Sequence, residues 1–376
     1  MQYVEFGKTG LKVSRLGFGC MRFPATNVNG KQVFDEDKSI AMLQKAYELG
    51  VNYYDTGTSY CDGLSESILG KGIKGFRDKI LVSTKCPGEA KDADSYVKQL
   101  EGSLKRLGTD HVDFYHFWGI GLQYFEDCVL KNGMLKKAQE LKEQGLIRHI
   151  SFSFHDKPEN MIEIIKKGEG ILETVLCQYN VMDRSNEAGI KFAQEQGMGV
   201  VVMGPVGGGR LGAPSKTIQA LLPGKVQSSA EVALRFVFNN PGVNIALSGM
   251  SAMEHVVENA EIASNASPLS DAENQQLEAM MQENRRLAGL YCTGCNYCMP
   301  CPQGINIPEI FTLMNYHRVY HITDYARGEY KTIGKVPWRN YKDASACVDC
   351  GVCETKCPQK LPIRQQLRET HEVLNR

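Results

Sequence analysis

Ile80-Leu-Val-Ser-Thr-Lys-Cys86, the stretch Asp92–Gly108 and His111-Val-Asp-Phe-Tyr-His-Phe-Trp118 follow one another as strand, helix and strand. The outer runs are short and rich in β-branched and aromatic residues, whereas the middle one spaces its apolar residues at helical period and ends on glycine. A crossover of that length returns the chain to a parallel neighbour. The alternation recurs: Val13–Cys20, Val51–Thr56, Ile147–Phe154, Thr174–Val181, Gly199–Val206 and Asn244–Met250 also read as strands. Asp35–Gly50, Leu130–Gly145, Glu187–Gly197 and Ser228–Phe238 read as amphipathic helices between them. Ser228-x2-Glu231, Ser251-x2-Glu254 and Ser270-x2-Glu273 are capping-box spacings that place helix starts. Eight successive βα units predict an α/β fold of the (β/α)8 TIM-barrel type, with its chemistry at the C-terminal ends of the strands. The rival, a doubly wound open sheet, lacks its Gly-x-Gly-x-x-Gly turn after the first strand.

Eight of the thirteen cysteines stand beyond this region, as Cys292-x2-Cys295-x2-Cys298-x2-Cys301-Pro302 and Cys347-x2-Cys350-x2-Cys353-x3-Cys357-Pro358. Three thiolates two residues apart wrap one iron–sulfur cube, and the fourth, followed by proline, ligates the other cube in two-cluster ferredoxins. The second run has the bacterial spacing in full, and the first closes with two intervening residues instead of three. Tetrahedral zinc, the alternative, takes paired C-x2-C knuckles separated by a longer loop. The reading is therefore two [4Fe–4S] clusters, one on Cys292, Cys295, Cys298 and Cys357, the other on Cys347, Cys350, Cys353 and Cys301. The expected domains are a barrel over 1–287 and a small, mainly α, ferredoxin-like domain over 288–376. The insert between the runs is rich in tyrosine and histidine, including Tyr316, Tyr320, Tyr325, Tyr330 and Tyr341. Those aromatics are expected to pack the small domain against the barrel.

Lys+Arg and Asp+Glu both number 43, so nothing in the balance points to nucleic acid or an anionic membrane. The start, Met1-Gln-Tyr-Val-Glu-Phe-Gly, has no basic segment followed by an apolar one, and no apolar run reaches about 18 residues. The chain reads as cytoplasmic, in keeping with reduced thiols and oxygen-sensitive clusters. Cys20, Cys61, Cys86, Cys128 and Cys177 are dispersed and read as small buried hydrophobes.

At the strand ends, Asp55, Tyr60 and Lys85 appear in order. With Phe6-Gly-Lys-Thr-Gly-Leu-Lys-Val-Ser-Arg-Leu-Gly-Phe-Gly19, Asp55-Thr-Gly-Thr-Ser-Tyr60, Ser83-Thr-Lys85, Val112-Asp-Phe-Tyr115, Gln178-Tyr-Asn180 and Glu258-Asn259, the chain over residues 3–265 resembles the aldo-keto reductases. With the cysteine runs added it is similar to their iron–sulfur branch. The resemblance implies that Tyr60 passes the proton, that Lys85 brings the phenol down from about 10 toward neutrality, and that Asp55 holds Lys85. The family's histidine position is taken by Trp118, whose indole donates one hydrogen bond and does not titrate. Strand alternation puts His116 on the same side, one layer deeper, as a packed core histidine or a displaced catalytic group.

The resemblance further implies a nicotinamide dinucleotide, NADP or NAD, held by Gly19, Met21 and Asp55, by Ser153 and Gln178 on the carboxamide, and by Met203 in the register of a stacking aromatic. Phe154 stands where an asparagine is usual. Pro205-Val-Gly207-Gly208-Gly-Arg210 reads as a loop that approaches the pyrophosphate. Gly249 and His255 replace the basic anchors of a 2′-phosphate, while Glu258 and Asn259 match the adenine side. No flavin motif is visible, and barrels bind flavin without one.

The implied activity is hydride transfer between nicotinamide and a small carbonyl or alcohol, with the clusters transferring electrons to or from a ferredoxin or another electron-transfer protein. Two alternatives stay open. One is a ferredoxin-fed reductase using the clusters as electron source. The other is a catalytically silent nucleotide-binding sensor or electron-transfer subunit. The sequence leaves the substrate, the choice of NAD or NADP and the oligomeric state undetermined.

Overall fold

The structure is a computed structural model that describes residues 1–28, 31–209, 211–212, 215–222, 226–292, 297–357 and 360–376. Arg210 and Cys295, both singled out above, lie outside the described residues. Eight parallel strands close into a barrel: β1 (Leu16–Gly19), β2 (Tyr53–Asp55), β3 (Leu81–Cys86), β4 (Val112–Ile120), β5 (Ile147–Phe154), β6 (Thr174–Gln178), β7 (Gly199–Met203) and β8 (Ile245–Gly249). Their order around the wall is the chain order, and β8 pairs with β1 to complete the ring.

The strands are buried along most of their length, polar residues included, because each is covered on both faces, by helices outside and by barrel filling inside. Helices α1 (Glu36–Glu48), α2 (Ser65–Ile73), α3 (Ala93–Leu107) and α4 (Met134–Glu143) lie on this wall with α5 (Pro158–Lys167) and α6 (Glu187–Glu195). Helix α3 opens with a capping box in which Asp92 and Ser95 satisfy each other's backbone N–H groups, and ends on Gly108 at φ 65°. The Ser270/Glu273 box forms as its spacing predicts. Ser251 caps nothing: its backbone N–H donates to Nδ1 of His255, and Ala252 takes the cap position.

Val13 belongs to a separate antiparallel hairpin, Tyr3–Glu5 with Lys12–Ser14, instead of to β1. That hairpin delivers Phe6 into the N-terminal end of the barrel, where its ring meets Tyr53 and Phe114 edge-on among Leu176, Val201 and Ile245. The bottom is thereby sealed with apolar side chains, and the opposite end is left for chemistry.

By internal contacts the chain divides into two compact units, Met1–Gly209 with Ala233–Pro268, and Arg210–Val232 with Leu269–Arg376. The second contains α7 (Asp271–Tyr291), α8 (Ile307–Arg318), α9 (Thr323–Tyr330) and α10 (Ile363–Leu374). Its core gathers Ile305, Ile310, Phe311, Leu313 and Leu367 with Cys298, Cys353 and Cys357. Tyr330, Tyr316 and Tyr341 from the aromatic insert pack into this same core. Among the described residues no helix is long and apolar enough to cross a membrane.

Candidate active site

Strand register gathers the ionisable residues. Asp55 pairs with Gly19 on one side and Ser83 on the other, and Lys85 pairs with His116. Asp55, Ser83, Lys85 and His116 are all buried. Lys85 Nζ donates to Asp55 Oδ1 at 2.5 Å and to the Thr56 carbonyl at 2.6 Å. Ser83 Oγ donates to Asp55 Oδ2 at 2.8 Å, and His116 Nε2 meets the same hydroxyl at 2.9 Å. Burial opposes the Lys85 ammonium, but Asp55 and Tyr60 outweigh it and hold the amine above its ordinary value. A fixed cation therefore sits in the barrel mouth.

Tyr60 is half-buried above it, with Lys85 Nζ 4.7 Å from its ring centroid. Trp118 meets that ring edge-on, centroids 5.5 Å apart at 87°. The indole lies in a register shift of β4 between Phe117 and Ile120, next to Gly119 at φ 57°, and such an irregularity re-aims a side chain. Burial pushes the Tyr60 phenol above its ordinary value, and Lys85 pulls it back only in part. The expectation of a phenol brought toward neutrality is thus reversed in direction, because desolvation exceeds the field of an ammonium already paired with Asp55. Tyr60 enters the site carrying its proton.

The chain around Tyr60 is pinned from behind. Cys61 and Asp62 both take left-handed angles, φ 53° and 54°, a conformation that costs non-glycine residues about 1–2 kcal/mol each. Ser65 Oγ donates to the Cys20 carbonyl at 2.8 Å and lies 2.7 Å from Thr56 Oγ1, and the Cys61 thiol donates to the carbonyls of Cys20 and Met21. Cys20, Cys61, Cys86, Cys128 and Cys177 are all buried.

His116 lies under this group and not at its surface. Burial, then the Lys85 charge, lowers its imidazole from 6.5 to about 3, so it is neutral. Ser83 has one proton, which it gives to Asp55, and so it accepts from Nε2–H of His116. Sequence reasoning quoted Ser83 in a motif without seeing that it joins the histidine to the carboxylate.

Of the described residues expected on the cofactor side, four pair with one another at strand ends. Gly249 pairs with Gly19, and Gln178 with Met203. The Gln178 carboxamide lies against Gly204, at φ 61°, so closely that a β-carbon there would stand 2.6 Å from Nε2. Ser153 Oγ accepts from the Gly119 N–H at 2.6 Å. Phe154 is buried and Met21 is exposed. Pro205 and Gly207 are buried where the chain leaves β7, and Gly208 is exposed at φ 69°. His255 is exposed and Glu258 half-buried, whereas Asn259 is buried and donates to Ser248 Oγ at 3.2 Å. A residue that sequence reasoning missed is Arg22, whose side chain runs beside Gly249 to Gly208. Its only sequence signal is a cation three residues beyond the end of β1.

In the second unit Cys298, Cys353 and Cys357 are buried, Cys292, Cys301 and Cys347 are half-buried and Cys350 is exposed. None is in a disulfide. Reduced cysteines packed into an apolar core by closely spaced turns suit cubane ligation, in which the cluster replaces part of the hydrophobic filling.

A closed parallel barrel with its buried ionisable groups gathered at the C-terminal strand ends places the molecule among the (β/α)8-barrel enzymes. Residues 15–282 match the aldo/keto reductase family, and the chain belongs to that family of oxidoreductases. Residues 291–361 match a 4Fe-4S dicluster domain. The chain is similar to an uncharacterised oxidoreductase of Bacillus subtilis, YqkF, at 26% identity over 317 residues, 76% of this chain and 98% of that one. It is 29% identical over 308 residues to the L-galactose dehydrogenase of Arabidopsis thaliana, covering 75% and 94% of the two chains. Among solved structures, the holo form of aldo-keto reductase AKR11C1 from Bacillus halodurans matches with a TM-score of 0.62 at 28% identity, over 74% of this chain and 96% of that one.

Proposed function

We propose that the barrel transfers a hydride between a nicotinamide dinucleotide and a small carbonyl or alcohol, and that the second unit carries two [4Fe–4S] clusters for electron transfer. The observation that supports this most is the buried Lys85–Asp55 pair directly under Tyr60. The nicotinamide, when bound, supplies or accepts the hydride. Tyr60 gives its proton to the oxygen that becomes a hydroxyl, and the phenolate left behind faces the Lys85 ammonium. Asp55 keeps that ammonium aimed and charged. In the reverse direction the phenolate takes the alcohol proton. Gln178 and Ser153 suit the nicotinamide carboxamide, since the Gln178 amide lies at the end of β6 beside Gly204 and the Ser153 hydroxyl, which accepts from Gly119, keeps its own proton to donate. Trp118 covers one side of Tyr60 and shapes the substrate face without exchanging protons.

Tyr60→Phe removes one hydroxyl and should lower dinucleotide-dependent turnover of small aldehydes and ketones about 10²–10⁴-fold, with nucleotide binding and cluster absorbance unchanged. Parent-like turnover in that variant would refute the tyrosine assignment. If NADH and NADPH bind neither variant nor parent while reduced ferredoxin sustains turnover, the clusters are the electron source and the nicotinamide reading fails.

A further inference from the structure

We propose that Arg22 is the cation that holds the pyrophosphate of the dinucleotide, from a different strand end than the ones where this chain lacks basic residues. The proposal rests on the nucleotide reading above. Strands β7, β8 and β1 are consecutive in the wall, and Arg22 leaves the chain just beyond β1. Its aliphatic stem lies on the α-carbon of Gly249 at the end of β8: a β-carbon there would stand 3.2, 3.3 and 3.5 Å from Cδ, Cγ and Cβ of the arginine. Its head reaches past β8 to the glycine-rich turn that follows β7, where a β-carbon on Gly208 would stand 3.3 Å from Nη2.

Gly249 is therefore not a lost anchor but the space through which another cation crosses the strand end. Gly208 likewise leaves its α-carbon bare beside the guanidinium. Among the described residues that guanidinium makes no hydrogen bond or ion pair, and the residue is exposed. A free planar fork of N–H donors over a glycine turn matches two phosphate oxygens at once. The position of the head, at Gly208 and not at the exposed His255, assigns it to the pyrophosphate shared by NADH and NADPH, not to the 2′-phosphate that distinguishes them.

Arg22→Gln, Arg22→Lys and the parent, each with intact cluster absorbance, would be titrated anaerobically with NADH, NADPH and ADP-ribose. The glutamine variant should bind all three about 10- to 100-fold more weakly, the loss expected for charge-assisted hydrogen bonds, and by similar factors. The lysine variant should recover part of the loss. Unchanged binding in Arg22→Gln, or a loss confined to NADPH, overturns the assignment while leaving the nucleotide reading standing. A parent that binds none of the three overturns both.

Discussion

The single proton of the Ser83 hydroxyl decides the state of everything beneath Lys85. Donated to Asp55, it leaves the serine oxygen to accept from His116, and the imidazole stays neutral in a fully buried position. Because the folded imidazole titrates near 3 and the unfolded one near 6.5, the unfolded chain binds the extra proton throughout the window between. Stability supplied by keeping this ring neutral is present above pH 6.5 and drains away as pH falls toward 3. Between pH 7 and pH 5 the parent should therefore lose about 2 kcal/mol more barrel stability than His116→Gln. Anaerobic denaturant midpoints at the two pH values measure this, and parallel losses in both proteins would show that the ring is protonated or exposed in the folded state. The sequence left His116 between core residue and displaced acid. Burial and a serine partner fit the first character, and neither could be read locally, because both depend on which side chains the barrel stacks over it.

At the level of elements, the tyrosine turn is held by the packing of α2 against α3. Glu66 on α2 is buried and receives Thr84 Oγ1 from β3 and Nε of Arg106 from α3, each at 2.6 Å. The two helices touch backbone to backbone: a β-carbon on Gly70 would stand 2.2 Å from the Leu107 carbonyl oxygen and 2.7 Å from its carbon. No rotamer relieves a clash with main-chain atoms, so Gly70→Ala must part the helices. It should lower stability by about 1–3 kcal/mol, as overpacking does, read as a fall in the thermal or urea midpoint. An unchanged midpoint would mean that α2 shifts freely and does not brace Tyr60. Helix α3 was legible from its amphipathic spacing and its glycine stop, whereas α2 (Ser65–Ile73) was not among the helices read from the sequence. Their contact at Gly70 was not legible, since a glycine inside a helix reads the same whether it faces water or a neighbour's backbone.

For the whole molecule the question is how many metal centres the second unit carries. Cysteines from both runs enter one core with Ile310, Phe311 and Leu367, which fits ligands that cross between runs. Anaerobically purified protein should contain about eight irons and eight acid-labile sulfides per chain. Stoichiometric zinc without a visible chromophore would contradict this. Cys357→Ser should damage the cluster of the first run, and loss confined to its own triplet would reverse the allocation. The segment Arg210–Val232 belongs with this unit by its contacts: Ser215 Oγ donates to the Tyr320 carbonyl at 3.1 Å, and Gln276 Nε2 to the Ala220 carbonyl at 3.0 Å. Those partners lie far apart in the chain, so no local pattern announces them.

The barrel, the order of its strands and the cysteines proposed as cluster ligands were legible in signals carried within a few residues: strand and helix periods, glycine stops, and thiols two apart before Cys-Pro. Asp55, Tyr60 and Lys85 were legible for the same reason, since each falls at or just beyond the end of a recognisable strand. What lay between distant strand ends needed the folded chain. Only closure of β8 onto β1 lays Arg22 across Gly249, only the pairing of β3 with β4 brings His116 to Ser83, and only burial of the mouth reverses the direction in which Tyr60 titrates. Sequence spacing determines secondary structure and local ligand sets, whereas desolvation and contacts across the barrel are properties of the closed fold.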